Sequence, residues 1–188
     1  RRSNSTTSPR SYFFLSQRAR RDIQTPVAFL TTRVKKPFED DWGKLRRLLK
    51  YLKGTKYMKL TLQVDDLSMV KWWVDSSHLT HWDCRGHTGY MMTLGKGAAI
   101  SGSSKNKINT KSSTESELVG ADSSLPKVLN AKYFIEAQGY TVDQNIMFQE
   151  NQSTMRLAIN GALSSGKNTK HIRAKYFFIK EVIDRGDL

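Results

Sequence analysis

Several ingredients are scarce in this chain, and each scarcity removes a class of protein. One cysteine, Cys84, stands among 188 residues, so no disulfide framework can form within the chain. No uncharged apolar run approaches the roughly 20 residues of a membrane span, which excludes an integral membrane protein; no membrane partner is expected. Acids are scarce in the first third: residues 1–60 carry 16 Lys and Arg against four Asp and Glu, while residues 61–188 carry 15 against 13. The chain starts at Arg1 rather than Met and so reads as a piece of something longer. Residues 1–12 hold almost nothing apolar. They are expected to form a disordered basic tail, because too little surface is available to offset the entropy of ordering them. An acid-free start rich in Arg and Ser also resembles an organelle transit peptide, although it has no apolar face.

What is present is enough for a packed core, with 38% hydrophobic and 10% aromatic residues. The net charge of +14 lies almost wholly in the first third. A basic face of that size favours a polyanion, usually nucleic acid, through counterion release.

The periodicities divide the chain after the tail into two parts, 13–70 and 71–188. A helix is expected around residues 13–34, ending before the Lys35-Lys36-Pro37 break. A second follows Pro37, with Phe38, Trp42, Leu45, Leu49 and Leu52 as its apolar stripe, three acids in its first turn and Gly54 as its stop. Arg46 and Lys50 lie off that stripe and are candidates for phosphate contact. From residue 57 the pattern becomes α/β. Lys59–Val64 alternates as a half-buried strand does, and Lys71–Val74 is a short apolar strand running into Asp75. Thr88–Leu94 and Ala98–Ser101 read as a hairpin turning at Gly95-Lys96-Gly97. Ser113–Gln138 reads as a long helix that Pro126 kinks or divides. Asn145–Phe148 is a further strand, and residues 152–160 and 171–184 are helices. The fold class is α/β (α+β), a mixed sheet flanked by helices with a helical segment ahead of it.

Three carboxylates stand where chemistry gathers in such folds. Asp75 ends a strand, Glu117 lies one turn into the long helix, and Glu150 follows the strand N-I-M-F. Acids converging on one point repel one another unless a cation joins them, and hard oxygen ligands suit Mg²⁺ or Mn²⁺. Such ions promote phosphodiester hydrolysis.

Other motifs compete for attention. Residues 161–168, G-A-L-S-S-G-K-N, nearly match a phosphate-binding loop, but Asn168 replaces the metal-binding hydroxyl and a helix precedes the loop. His78, His81, Cys84 and His87 recur every third residue as potential zinc ligands, a spacing tighter than structural zinc sites use. Cys84 as a nucleophile lacks a framing group. Trp72, Trp73 and Trp82 are read as core aromatics before base-stacking ones.

The runs G-H-T-G-Y-M-M-T-L-G-K-G-A-A-I-S, K-I-N-T-K-S-S-T-E-S-E-L-V-G-A-D, Y-F-I-E-A-Q-G-Y-T-V-D-Q-N-I-M-F-Q-E-N-Q-S-T-M-R-L and T-K-H-I-R-A-K-Y-F-F-I-K-E-V-I-D-R-G-D-L resemble the ribonuclease H domain that closes the Pol polyprotein of copia-type LTR retrotransposons. F-L-S-Q-R-A-R-R-D-I-Q-T-P-V-A-F-L-T-T-R-V and E-D-D-W-G-K-L-R-R-L-L-K-Y-L-K-G-T resemble the end of the reverse transcriptase and its connector. The likeness covers roughly residues 13–188. It implies a ribonuclease-H-like sheet, Mg²⁺- or Mn²⁺-dependent hydrolysis of RNA in an RNA–DNA hybrid, and the rest of the Pol polyprotein as a partner. The setting it implies is a cytoplasmic virus-like particle or the nucleus. It assigns Asp75, Glu117 and Glu150 to metal binding and catalysis. Thr114 and Gln152 fall where relatives meet the hybrid's minor groove, with its 2′-hydroxyls. Lys105, Lys107 and Lys111 are assigned to phosphates. Four departures follow. Glu150 stands where the family has Asp, the chain stops before the strand and fourth carboxylate of relatives, Gly102 is expected to weaken the third strand, and Arg173 replaces a smaller polar residue. Polymerase activity is not expected, and a catalytically impaired nucleic-acid-binding remnant is the alternative.

Overall fold

A computed structural model of the chain describes residues 7–161 and 173–188. In chain order it contains α1 (Thr7–Arg18), a 3-10 turn (Arg21–Ile23), α2 (Gln24–Thr31), α3 (Glu39–Gly54), β1 (Gln63–Val64), β2 (Met69–Ser77), β3 (Arg85–Thr93), β4 (Gly95–Lys96), β5 (Ile100–Asn109), α4 (Ser113–Ala137), β6 (Gln144–Phe148), α5 (Gln152–Asn160) and α6 (Arg173–Asp184). The main sheet runs β5-β3-β2-β6, with β3 antiparallel to both β2 and β5 and β6 parallel to β2. This is the expected mixed sheet flanked by helices. Among the described residues β6 has β2 on one side and no strand on the other.

Strand β2 organises the domain. Val70, Trp72, Val74 and Ser76 alternate onto the buried face, and Trp73, Asp75 and Ser77 onto the exposed one, as a period of two requires. Helix α4 covers the buried face with Leu118, Leu125, Val128 and Leu129, and Ile179 and Val182 of α6 join the same core. The Ser112 hydroxyl accepts from Glu115 N (3.2 Å) and starts α4. The helix runs on through Pro126 rather than being divided there, with Leu125 and Val128 buried on either side of the proline. Helix α6 ends on Gly186, whose φ of +73° places it in the left-handed region that suits a helix stop.

Some sequence expectations give way here. Helix α1 starts at Thr7, inside the stretch expected to lack structure. The helix expected over 13–34 is broken around Arg20, whose guanidinium holds Asp22 (2.7 Å) and the Thr55 hydroxyl (2.6 Å). The strand expected at Lys59–Val64 shrinks to Gln63–Val64, paired with Gly95 and Lys96. Alternation alone does not make a strand, and residues 57–62 find no sheet edge and stay exposed. Strand β2 extends two residues past Asp75. Helix α3 is rotated from the expected stripe: Asp41 and Leu48 are buried while Phe38 and Trp42 are each 57% exposed. The positions 41, 45, 48 and 52 form an equally good helical face, and Phe38 N donates to Asp41 (2.9 Å) at the helix start. Gly102 does not weaken its strand: β5 is ten residues long, and a Cβ at 102 would run into the Tyr90 ring opposite.

A second, smaller apolar cluster of Ile23, Val27 and Leu48 holds the N-terminal helices together. It meets β5 through polar contacts. Arg21 donates to Ser101 Oγ (2.8 Å) and Ala99 O (2.9 Å), Ser103 Oγ donates to Thr25 Oγ1 (3.2 Å), and Phe29 stacks on His81 with centroids 5.2 Å apart.

Candidate metal centre and its cleft

The parallel pairing of β2 and β6 sets Trp73 opposite Phe148; two residues further on, Asp75 is still within β2 while Glu150 lies just past the end of β6. Helix α4 crosses beneath and supplies Glu117. One carboxylate oxygen from each of Asp75, Glu117 and Glu150 lies within 4.8 Å of the others, and among the described residues these three form the one group of three or more potential metal ligands that close. The extra methylene of Glu150 therefore does not take its oxygen out of reach. Asp75 and Glu150 are exposed and Glu117 is 6% exposed.

The placement of Glu117 is set by small polar side chains between α4 and the sheet. Ser76 Oγ lies 3.0 Å from both Thr88 Oγ1 and Ser116 Oγ, Thr88 Oγ1 donates to Asn106 Oδ1 (2.6 Å), and Ser116 Oγ donates to Ser77 O (2.9 Å). Gly120 permits this approach, since a Cβ there would stand 2.8 Å from Ser76 Cβ. Ser76 follows Asp75 and Ser116 precedes Glu117, so the hydroxyls that join helix to strand also fix two of the acids relative to each other. Glu117 Oε2 accepts from Ser76 N (3.0 Å) and from Gln149 Nε2 (3.3 Å).

Burial, and then the charge of Asp75, push the Glu117 carboxyl up to about 7 from an ordinary 4.5. This has a sign that can be measured. The folded state binds the Glu117 proton more tightly than the unfolded chain between about pH 4.5 and 7, so this contribution is full below that window and is lost as pH rises through it. His81 runs the other way. Burial, then His87, lower it to about 4, so its contribution is present above pH 6.5 and lost as pH falls. The two partly cancel in the wild-type protein. In chelator-containing buffer, the thermal midpoint of Glu117→Gln minus that of the wild type is expected to rise from pH 4.5 to 7. A difference that stays level would mean that Glu117 titrates normally.

The acids open onto a cleft of about 710 Å³, whose wall includes Trp73, Phe148, Gly89 and Met91 and whose far side includes Arg21, Gln24 and Thr25. Trp73 and Phe148 stack with centroids 4.9 Å apart. Of the three tryptophans read as core, Trp72 is buried, while Trp73 is 37% and Trp82 75% exposed.

The other candidate residues scatter. Thr114 and Gln152 lie in the first turns of α4 and α5, which meet where Thr154 Oγ1 donates to Thr114 O (3.2 Å). Lys107 and Lys111 are exposed at the end of β5 and beyond it, and Arg46 and Lys50 are exposed on α3. Lys105 is paired with Asp83 (2.5 Å). His81 and His87 bond each other (Nε2 to Nδ1, 3.0 Å), His78 bonds Thr110 (2.9 Å), and Cys84 is exposed, so the four do not converge as a zinc set. The loop resembling a phosphate-binding motif, beyond Gly161, and the Arg173 side chain lie outside the described residues. Sequence reasoning missed Gln149, Ser76, Ser116 and Asn106. The run of small residues at 76, 86, 116 and 120 was the available signal for close helix–strand approach. Nothing marked Gln149.

No family model matches the chain, and no solved structure matches it. The chain is similar to the retrovirus-related Pol polyprotein from transposon TNT 1-94 of Nicotiana tabacum, with 29% identity over 167 residues. That alignment takes in 88% of this chain and 12% of the polyprotein. No helix among the described residues is long and apolar enough to cross a membrane.

Proposed function

We propose that this chain is the ribonuclease H segment of a retrotransposon Pol polyprotein and that it hydrolyses the RNA strand of RNA–DNA hybrids. The observation that carries this reading is the meeting of three carboxylates from a central strand, a neighbouring strand end and a crossing helix. Burial, and then the charge of Asp75, raise the Glu117 carboxyl, and a divalent cation relieves repulsion between neighbouring carboxylates. The donor set is all oxygen and fits Mg²⁺ or Mn²⁺. Bound there, such an ion supplies Lewis acidity toward a phosphodiester.

The chain's own groups take the remaining roles. Asp75, Glu117 and Glu150 hold the ion. Thr114 and Gln152 take the minor-groove contacts, where meeting 2′-hydroxyls selects RNA. Lys107 and Lys111 meet phosphates near the site, and Arg46 and Lys50 on α3 extend the basic surface away from it. The remaining Pol polyprotein is the natural partner, and a virus-like particle in the cytoplasm or the nucleus the natural setting.

The test is cleavage of an end-labelled RNA–DNA hybrid with Mg²⁺ or Mn²⁺, run against Asp75→Asn and across a salt series. Cutting confined to the RNA strand, with affinity falling steeply as salt rises, supports the proposal. Salt-dependent binding without cutting above the Asp75→Asn level would instead leave a nucleic-acid-binding remnant.

A further inference from the structure

We infer that Gln149 is a positioning residue for the metal centre, orienting the Glu117 carboxylate through a side-chain amide that is itself held in place. This rests on the reading of the three acids as a cation site and adds to it a residue outside the ligand set.

Gln149 sits between the end of β6 and Glu150, and its amide is fixed at both ends. Its Oε1 accepts from Asn151 N (3.0 Å), which turns the NH₂ group toward α4, where Nε2 donates to Glu117 Oε2 (3.3 Å). The second donor to Glu117, Ser76 N, falls on the same oxygen at 3.0 Å. Both donors therefore engage Oε2. A carboxylate gripped by one oxygen from two directions, a strand backbone and a neighbouring loop, has one orientation to offer. Partners of this kind around metal ligands change metal affinity or activity by roughly ten- to a hundredfold when removed.

The Asn151 link also ties two events together. Asn151 caps α5, its Oδ1 accepting from Thr154 N (3.0 Å), so the loop that carries Gln149 and Glu150 is anchored to the helix that follows. The donor to Glu117 and the ligand at 150 thus ride on one short, fixed segment, and the cap is the piece that sets its height.

Gln149→Met keeps the length of the side chain and removes the donor, and Gln149→Leu removes it with a different shape. Mn²⁺ binding to the full chain is followed by electron paramagnetic resonance of the free ion, with thermal midpoints measured alongside. Both variants are expected to bind Mn²⁺ about ten- to a hundredfold more weakly than the wild type with midpoints near the wild-type value. On a hybrid substrate kcat should fall while KM holds. Wild-type Mn²⁺ affinity in both variants overturns the inference and leaves the acid site standing. Wild-type protein that binds Mn²⁺ no better than Asp75→Asn removes the cation site, and the inference with it.

Discussion

Replacing Asp75 with asparagine is expected to lower hybrid cleavage by about three orders of magnitude while making the metal-free protein harder to unfold at neutral pH. The rate loss follows from removing a charged ligand. Lewis-acid stabilisation of several kcal/mol is withdrawn, and each ~1.4 kcal/mol is tenfold in rate. The stability gain has a separate cause. After burial, Asp75 is the group that raises the Glu117 carboxyl, so its neutral replacement lets Glu117 ionise with less opposition. Rates on a labelled hybrid and thermal midpoints in chelator at pH 7.5 check the two halves. A variant that loses both activity and stability would point to a structural role for Asp75. One that keeps its activity would remove Asp75 from the chemistry.

The largest loss of stability is expected at Trp72→Ala. Trp72 is fully buried at the centre of β2, in the core that α4 closes, and truncating a large buried aromatic costs about 3–5 kcal/mol through lost transfer energy and the cavity left behind. Its indole Nε1 has no hydrogen-bond partner among the described residues. An orphaned buried donor carries a penalty of its own, about 1–3 kcal/mol, so Trp72→Phe removes that penalty as well as some packing. Urea midpoints should therefore place Trp72→Phe close to the wild type and Trp72→Ala far below it. Equal losses in the two variants would show that the volume a phenyl ring keeps does not matter at this position.

Much of the fold was legible because its strands announce themselves locally. Val70, Trp72 and Val74 alternate on one face, and the small polar caps before Ser113 mark the start of α4 without help from distant residues. The three acids were legible for a related reason, since two follow strand patterns and the third lies one turn into a capped helix. Where the reading failed, the deciding partner was far away in sequence. Lys59–Val64 alternates correctly but meets only the two residues of β4. The α3 helix carries two overlapping apolar faces, and the choice fell to Ile23 and Val27, about 20 residues upstream. The ion pair of Lys105 with Asp83 and the seating of Gly102 opposite Tyr90 likewise depend on partners that the local pattern does not name. Gln149 is the extreme case, for its partner Glu117 is brought to it only by the crossing of α4 beneath the sheet.

The seam between the N-terminal helices and β5 governs how the molecule comes apart. The large apolar core lies wholly on one side of it, and the small cluster of Ile23, Val27 and Leu48 on the other, with hydroxyls, guanidinium and backbone carbonyls in between. So small a cluster stabilises little alone, and polar contacts give it only modest help across the joint. Helices α1 to α3 thus rest on a far smaller apolar cluster than the sheet does, and elements with few buried apolar contacts open at lower free energy than a main core.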